Sequence, residues 1–178
     1  MAKEPIKTKN LFLTGKPGSG KTTLLREVCL PFMEKLGGFY TEELREEKER
    51  LGFRIKTFDG KDGIFAKKGM ESEHKLDKYG VDLKVLEELG VGAMRRAMAE
   101  KSIIVIDEIG SMEVLSGEFM AALFECLNSD KKVLATIRFN SQPFTDEVKK
   151  MDNTSLVEVS RDNYIGVKRR IREWLSNS

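Results

Sequence analysis

Eight residues near the start of the chain limit its possible folds more than any other feature: Gly15-Lys16-Pro17-Gly18-Ser19-Gly20-Lys21-Thr22. Glycine, four residues, glycine, lysine and threonine is the spacing of a loop that curls its main chain around a phosphate. The glycines let successive N–H groups point inward at one anion, and the loop opens onto a helix N-terminus. A side chain at Gly20 would obstruct that approach. Lys21 is placed to reach the β- and γ-phosphates of a nucleotide and the Thr22 hydroxyl to bind Mg²⁺, with Thr23 beside them. By amino-acid frequencies the pattern arises by chance in roughly one of two hundred chains of this size. Its flanks agree with it. Asn10 to Thr14 is a short apolar run that suits a buried strand, and Leu24, Leu25, Val28 and Cys29 repeat with helical period up to Pro31.

The second informative stretch is Ile103-Ile104-Val105-Ile106-Asp107-Glu108. An apolar parallel strand ending in aspartate delivers a carboxylate to the sheet edge where open α/β sheets bind ligands. Asp107 is expected to hold Mg²⁺ through its water, as phosphate-loop enzymes use it. Neighbouring residues at a strand end point in different directions, so Glu108 is free to accept a proton from a water attacking the γ-phosphate. No Asn-Lys-x-Asp guanine motif is present; Asn128-Ser129-Asp130-Lys131 has a similar composition in the wrong order. Aspartate followed by a catalytic glutamate resembles the RecA-like branch, in which one strand lies between the loop strand and the aspartate strand.

The rest of the pattern predicts an α/β architecture. From residue 100 strands and helices alternate: a helix over Gly117 to Leu127, a strand over Lys132 to Ile137, a helical stretch near Thr145 to Lys150, a strand over Leu156 to Val159 and a basic amphipathic helix over Tyr164 to Leu175. That alternation implies a mainly parallel sheet with helices on both faces. Residues 38–68 break it with short β-type runs separated by Arg45 to Arg50 and by Asp59-Gly60-Lys61-Asp62-Gly63, which reads as an antiparallel meander inserted into a single domain spanning 1–178. Gly69 to Tyr79 reads as a polar connector, followed by a helix from Asp82 to Glu100 that Asp82 caps and that Gly90 and Gly92 weaken in the middle.

Taken with Gly38-Phe39-Tyr40-Thr41-Glu42-Glu43 and the early glycine loop, the string Asp107-Glu108-Ile109-Gly110-Ser111-Met112-Glu113 closely resembles the small nucleoside-triphosphatase family of archaea, thermophilic bacteria and animals. The resemblance covers nearly the whole chain. It implies a three-layer RecA-like phosphate-loop fold and Mg²⁺-dependent hydrolysis of ATP, GTP and other nucleoside triphosphates. It also implies nucleotide contacts from Gly15 to Thr22 and from a second segment, Ile103, Ile104, Val105, Ile106, Asp107, Glu108, Ile109 and Gly110. Members often carry Asn-Arg after the last strand; here Asn163 is followed by Tyr164.

Among other polar residues, Arg138 follows a strand directly and is placed to neutralise transition-state charge as an arginine finger does. Glu113 could assist Glu108, and Thr136 could sense the γ-phosphate. Arg161 is a further cation, and Tyr40, Phe139 and Tyr164 are aromatics for base stacking. Two other function classes share these features: a nucleotide or small-molecule kinase, and a nucleotide-gated binding module with slow hydrolysis. Residues 115–145 hold no arginine-rich insertion of the kind a kinase lid usually carries.

Composition narrows the partners. The 31 basic and 29 acidic side chains leave a formal charge of +2, so no nucleic-acid partner is expected, and no obligate protein partner is evident. The basic cluster Lys168 to Arg172 reads as a solvated helix face. No apolar run approaches the roughly 20 residues of a membrane span. The opening residues lack the apolar stretch of a secretory signal and read as a frayed end of a cytoplasmic chain. Cys29 and Cys126 sit at helical spacing among apolar residues, as buried thiols do, and His74 reads as a solvated surface residue. A charged fraction of 34%, against about 25% on average, and a single glutamine, Gln142, hint at a heat-adapted source.

Overall fold

The computed structural model describes residues 3–178. Among these residues, nine strands form one sheet: β1 (Asn10–Thr14), β2 (Leu36–Glu46), β3 (Glu49–Thr57), β4 (Asp62–Lys68), β5 (His74–Leu76), β6 (Tyr79–Val81), β7 (Ile103–Ile109), β8 (Lys132–Ile137) and β9 (Thr154–Glu158). Their order across the sheet is β5-β6-β4-β3-β2-β7-β8-β1-β9. Every pair from β2 to β9 is parallel and every pair from β2 to β5 is antiparallel. The loop strand β1 and the aspartate strand β7 are separated by β8, as the resemblance to the RecA-like branch implies.

Alternation along the parallel strands supplies both helix layers. Ile103 and Val105 point to one face and share a buried cluster with Leu24, Leu25 and Val28 of α1 (Lys21–Cys29) and Val167, Ile171 and Trp174 of α6 (Tyr164–Ser176). Ile104 and Ile106 point to the other and meet Met94 of α3 (Gly92–Glu100) and Phe119 and Leu123 of α4 (Gly117–Asn128). A strand buried on both faces must be apolar at every position, which explains the unbroken run in β7.

Cys29 and Cys126 are free and buried, one in each layer with the sheet between them. Burial pushes both thiols up to about 12. Native protein at pH 8 is therefore expected to resist iodoacetamide for hours and to alkylate at both cysteines once unfolded in guanidinium, read by mass spectrometry.

Several expectations are refined. The polar connector holds β5 and runs into β6, the two forming a hairpin with His74 exposed on its edge strand. The β2–β3 ladder runs out to Glu46 and Glu49, so the charged stretch is the end of a long hairpin. Asp82 caps α2 (Leu83–Val85) by accepting the Val85 N–H at 3.1 Å, and the weak middle of that helix is a π-helical turn over Leu86–Val91. Short α5 (Pro143–Lys149) precedes β9, an edge strand that leaves Leu156 half exposed. Of the opening residues expected to fray, Met1 and Ala2 lie outside the described residues. Thr8 is held, its hydroxyl donating to Ser155 and its carbonyl accepting from the Trp174 indole N–H.

Candidate active site

The loop between β1 and α1 adopts the curl that its glycines permit. Gly15, Gly18 and Gly20 have φ of 152°, 79° and 91°. At Gly15 a Cβ would sit 2.5 Å from the Val159 carbonyl oxygen, so glycine is required there for space as well as conformation. Gly20 stands at the start of α1, and no side chain caps that end. The first helical N–H groups therefore face the cleft as donors for an anion. Lys21 rests its Nζ on the Gly15 carbonyl at 2.8 Å, and the Ser19 hydroxyl is enclosed with no partner. Lys16 is exposed on the outside of the loop, and its carbonyl accepts the Ser19 N–H.

Opposite the loop, β7 changes register against β8: Ile106 pairs with Ala135, but Ile109 pairs with Ile137. The extra residue is a bulge, and bulges re-aim side chains. Asp107 turns inward, fully buried, while Glu108 turns into the cleft. The Asp107–Glu108 peptide is cis. Asp107 Oδ1 accepts from Thr22 Oγ1 at 3.2 Å and from Thr136 Oγ1. Its Oδ2 accepts the Thr41 N–H at 3.2 Å, with the Thr41 hydroxyl at 3.5 Å. Burial nonetheless holds the Asp107 carboxyl above its usual range, against these donors and the Lys21 charge. Glu108 is raised too, first by burial and then by Asp107, with Lys21 and Arg138 pulling the other way.

The cleft encloses about 670 Å³. Gly15, Pro17, Gly18, Gly20, Lys21, Thr22 and Thr23 form one wall; Glu108, Ser111, Arg138, Phe139 and Asn140 form the second. Arg138 is braced there, donating through Nη1 to the Ser111 hydroxyl and through Nε to the Asn140 carbonyl at 3.1 Å. A third wall comes from Arg26 and the hairpin residues Thr41, Glu42, Glu43, Arg50 and Phe53, none of which the sequence reading assigned to the site. The Gly38–Glu43 motif was the available signal, but the role of Thr41 depends on β2 lying beside β7.

Not every candidate reaches the cleft. Ile103, Ile104, Val105, Ile106 and Ile109 are fully buried in the core, so that segment meets the cleft through its carboxylate end. Gly110 is also buried, beneath Glu108. Thr136 is spent on Asp107. Arg161 is exposed away from the cleft lining. Tyr40 packs on Phe58 beneath Arg26. Tyr164 lays its ring edge against Gly20 and donates its hydroxyl to Glu27, which also takes the Lys168 ammonium at 2.8 Å.

A profile of the family described as NTPase matches residues 10–175. The chain belongs to that family. It is 42% identical over 153 residues to nucleoside-triphosphatase THEP1 of Thermotoga maritima, covering 86% of this chain and 87% of the relative. The crystal structure of THEP1 from the hyperthermophile Aquifex aeolicus superposes with a TM-score of 0.86 at 33% identity, covering 93% of this chain and 98% of the other. The solution structure of a human cancer-related nucleoside triphosphatase gives 0.81 at 30% identity, covering 95% and 98%. The fold of this NTPase is thus the phosphate-loop NTPase fold, with parallel and antiparallel strands in one sheet. Among the described residues, no helix is long and apolar enough to cross a membrane.

Proposed function

We propose that this NTPase, acting as one domain, cleaves the terminal phosphoanhydride of ATP, GTP and other nucleoside triphosphates with Mg²⁺ as cofactor, releasing a diphosphate and inorganic phosphate. The observation that carries this reading is the β7 bulge. It sends Asp107 to Thr22 and, one residue on, Glu108 into the cleft that Lys21 shares.

Thr22 and Asp107 would hold Mg²⁺. A hydroxyl and a carboxylate 3.2 Å apart are hard oxygen donors, and this ion takes few protein ligands, completing its shell with phosphates and water. When bound, it draws charge from the β- and γ-phosphate oxygens. Lys21 leaves the Gly15 carbonyl for those oxygens, while the loop N–H groups hold the β-phosphate. Glu108 accepts a proton from a water as its oxygen bonds to the γ-phosphorus and the bond to the β-phosphate oxygen breaks. Arg138 offsets the charge gathering on the transferred group. Every side chain named belongs to this chain.

Calorimetry with a non-hydrolysable ATP analogue and Mg²⁺ tests the anchor. Lys21→Ala is expected to weaken binding roughly 10- to 100-fold, the range for a charge-assisted hydrogen bond. Unchanged affinity overturns the reading. With γ-labelled ATP and a panel of nucleosides and monophosphates, label appears as free phosphate; transfer to an acceptor makes the protein a kinase.

A further inference from the structure

One wall of the cleft takes no direct part in the chemistry just described: the end of β2 and, facing it, Arg26 of α1. The parallel ladder between β2 and β7 stops at Phe39, which pairs with Ile106. Two residues on, Thr41 gives its N–H to the Asp107 carboxylate rather than to a main-chain carbonyl of β7. From there to its tip β2 is laddered to β3 alone. Thr41 is thus joined to the central sheet through one side chain.

Successive strand residues face opposite ways, so Tyr40 and Glu42, the two neighbours of Thr41, share one face of β2. Arg26 spans them: its guanidinium carbon lies 4.7 Å from the Tyr40 ring centroid and its Nη1 3.4 Å from Glu42 Oε1. Tyr40 also rests on Phe58, and Glu42 takes Lys56 Nζ at 3.2 Å. Those two partners belong to the same hairpin and move with it. Arg26 comes instead from α1, one turn after Thr22, and residues four apart lie on one helix face. Asp107 is held from both elements, its Oδ1 by Thr22 and its Oδ2 by Thr41. Arg26 ties those elements together beside that grip. A ring of contacts closes from α1 through Asp107 and β2 back to α1.

We propose that Arg26 is a positioning residue: stacked on Tyr40 and paired with Glu42, it fixes β2 against α1, keeps the Thr41 N–H on Asp107 and so sets the direction in which that carboxylate points. Either contact alone is weak at a half-exposed site. Borne by one guanidinium on both sides of Thr41, they act on the same short stretch of strand. The inference rests on Asp107 serving the reaction as described above.

Amide hydrogen exchange of the full chain without nucleotide or metal, read residue by residue by NMR, tests the clamp. Arg26 is half exposed on a helix and alanine suits helices, so Arg26→Ala is expected to fold as the wild type does. Protection of the Thr41 amide is expected to fall about 3- to 30-fold, the combined range for a cation–π contact and an exposed ion pair. The amides of Leu11 in β1 and Leu134 in β8 are expected to stay within about 2-fold. In phosphate release, kcat is expected to drop by about 3-fold or more with KM within about 2-fold. Tyr40→Leu removes the ring on which the guanidinium stacks. On that background Arg26→Ala is expected to cost Thr41 less protection than it does alone.

Unchanged protection at Thr41, an equal fall at Leu11 and Leu134, or full additivity of the two substitutions each overturns the proposal. So does an unchanged kcat, and so does a raised KM with Thr41 still protected, which would make Arg26 a substrate contact. If Tyr40→Leu does not fold, Arg26→Ala decides alone. Asp107→Asn is expected to lose turnover. Wild-type turnover there removes the reading on which the inference rests, and that failure is seen in a different variant from the clamp's own.

Discussion

Glu108→Gln is expected to bind nucleotide as the wild-type protein does and to turn it over slower by on the order of 10²-fold or more. The amide fills the same space at the cleft wall and leaves the Asp107 network of Thr22, Thr41 and Thr136 in place. What it removes is the ability to accept a proton from the attacking water. Calorimetry with a non-hydrolysable analogue should therefore give an unchanged Kd while phosphate release nearly stops. Turnover close to wild type would transfer the proton-accepting role to another group, and the bulge in β7 would lose its mechanistic meaning. Loss of binding together with turnover would make Glu108 a structural acid.

The second large effect lies away from the chemistry. Gly38 has φ 111°, and a Cβ there would fall 2.0 Å from the Val105 carbonyl oxygen. It pairs with Val105 across the β2–β7 ladder, and its own carbonyl accepts the Phe58 N–H at 3.1 Å. Gly38→Ala cannot relax by rotating a side chain, since the obstacle is backbone; either the backbone strains or the two strands part. We expect a loss of about 3 kcal/mol, from backbone strain and overpacking together. That corresponds to a fall in Tm of roughly 6–12 °C for a domain of this size, measured by circular dichroism. Thr41 lies three residues along the same strand, so phosphate release should fall with stability. A Tm within about 1 °C of wild type would mean that β2 and β7 are not held as closely as described.

What was legible in the sequence was what local spacing encodes. The glycine loop, its strand and its helix are contiguous, and each residue's task follows from its place in the run. The acid pair was legible because an unbroken apolar strand before Asp107 can only be central and parallel. Thr41 was not, because nothing local ties it to Asp107; the two meet when β2 takes its place beside β7, 66 positions apart in the chain. For the same reason Thr136 was read toward the phosphate, although its hydroxyl is committed to Asp107. The hairpin β5–β6 was passed over because three-residue strands carry no periodic signal, and Gly80 earns its place there through close approach to the Met70 carbonyl. Gly90 and Gly92 did mark the weak point of their helix, but spacing alone does not distinguish a kink from a widened turn.

Strand β2 is one continuous ribbon with two allegiances: Leu36 to Phe39 pair with β7, and Phe39 to Glu46 pair with β3. The antiparallel half of the sheet is consequently not a module to be trimmed off or transplanted onto another nucleotide-handling scaffold. Excision anywhere before Thr41 would take a flank from the central sheet and a donor from Asp107 in the same cut. Minimal versions of this protein must keep that ribbon at least through Thr41.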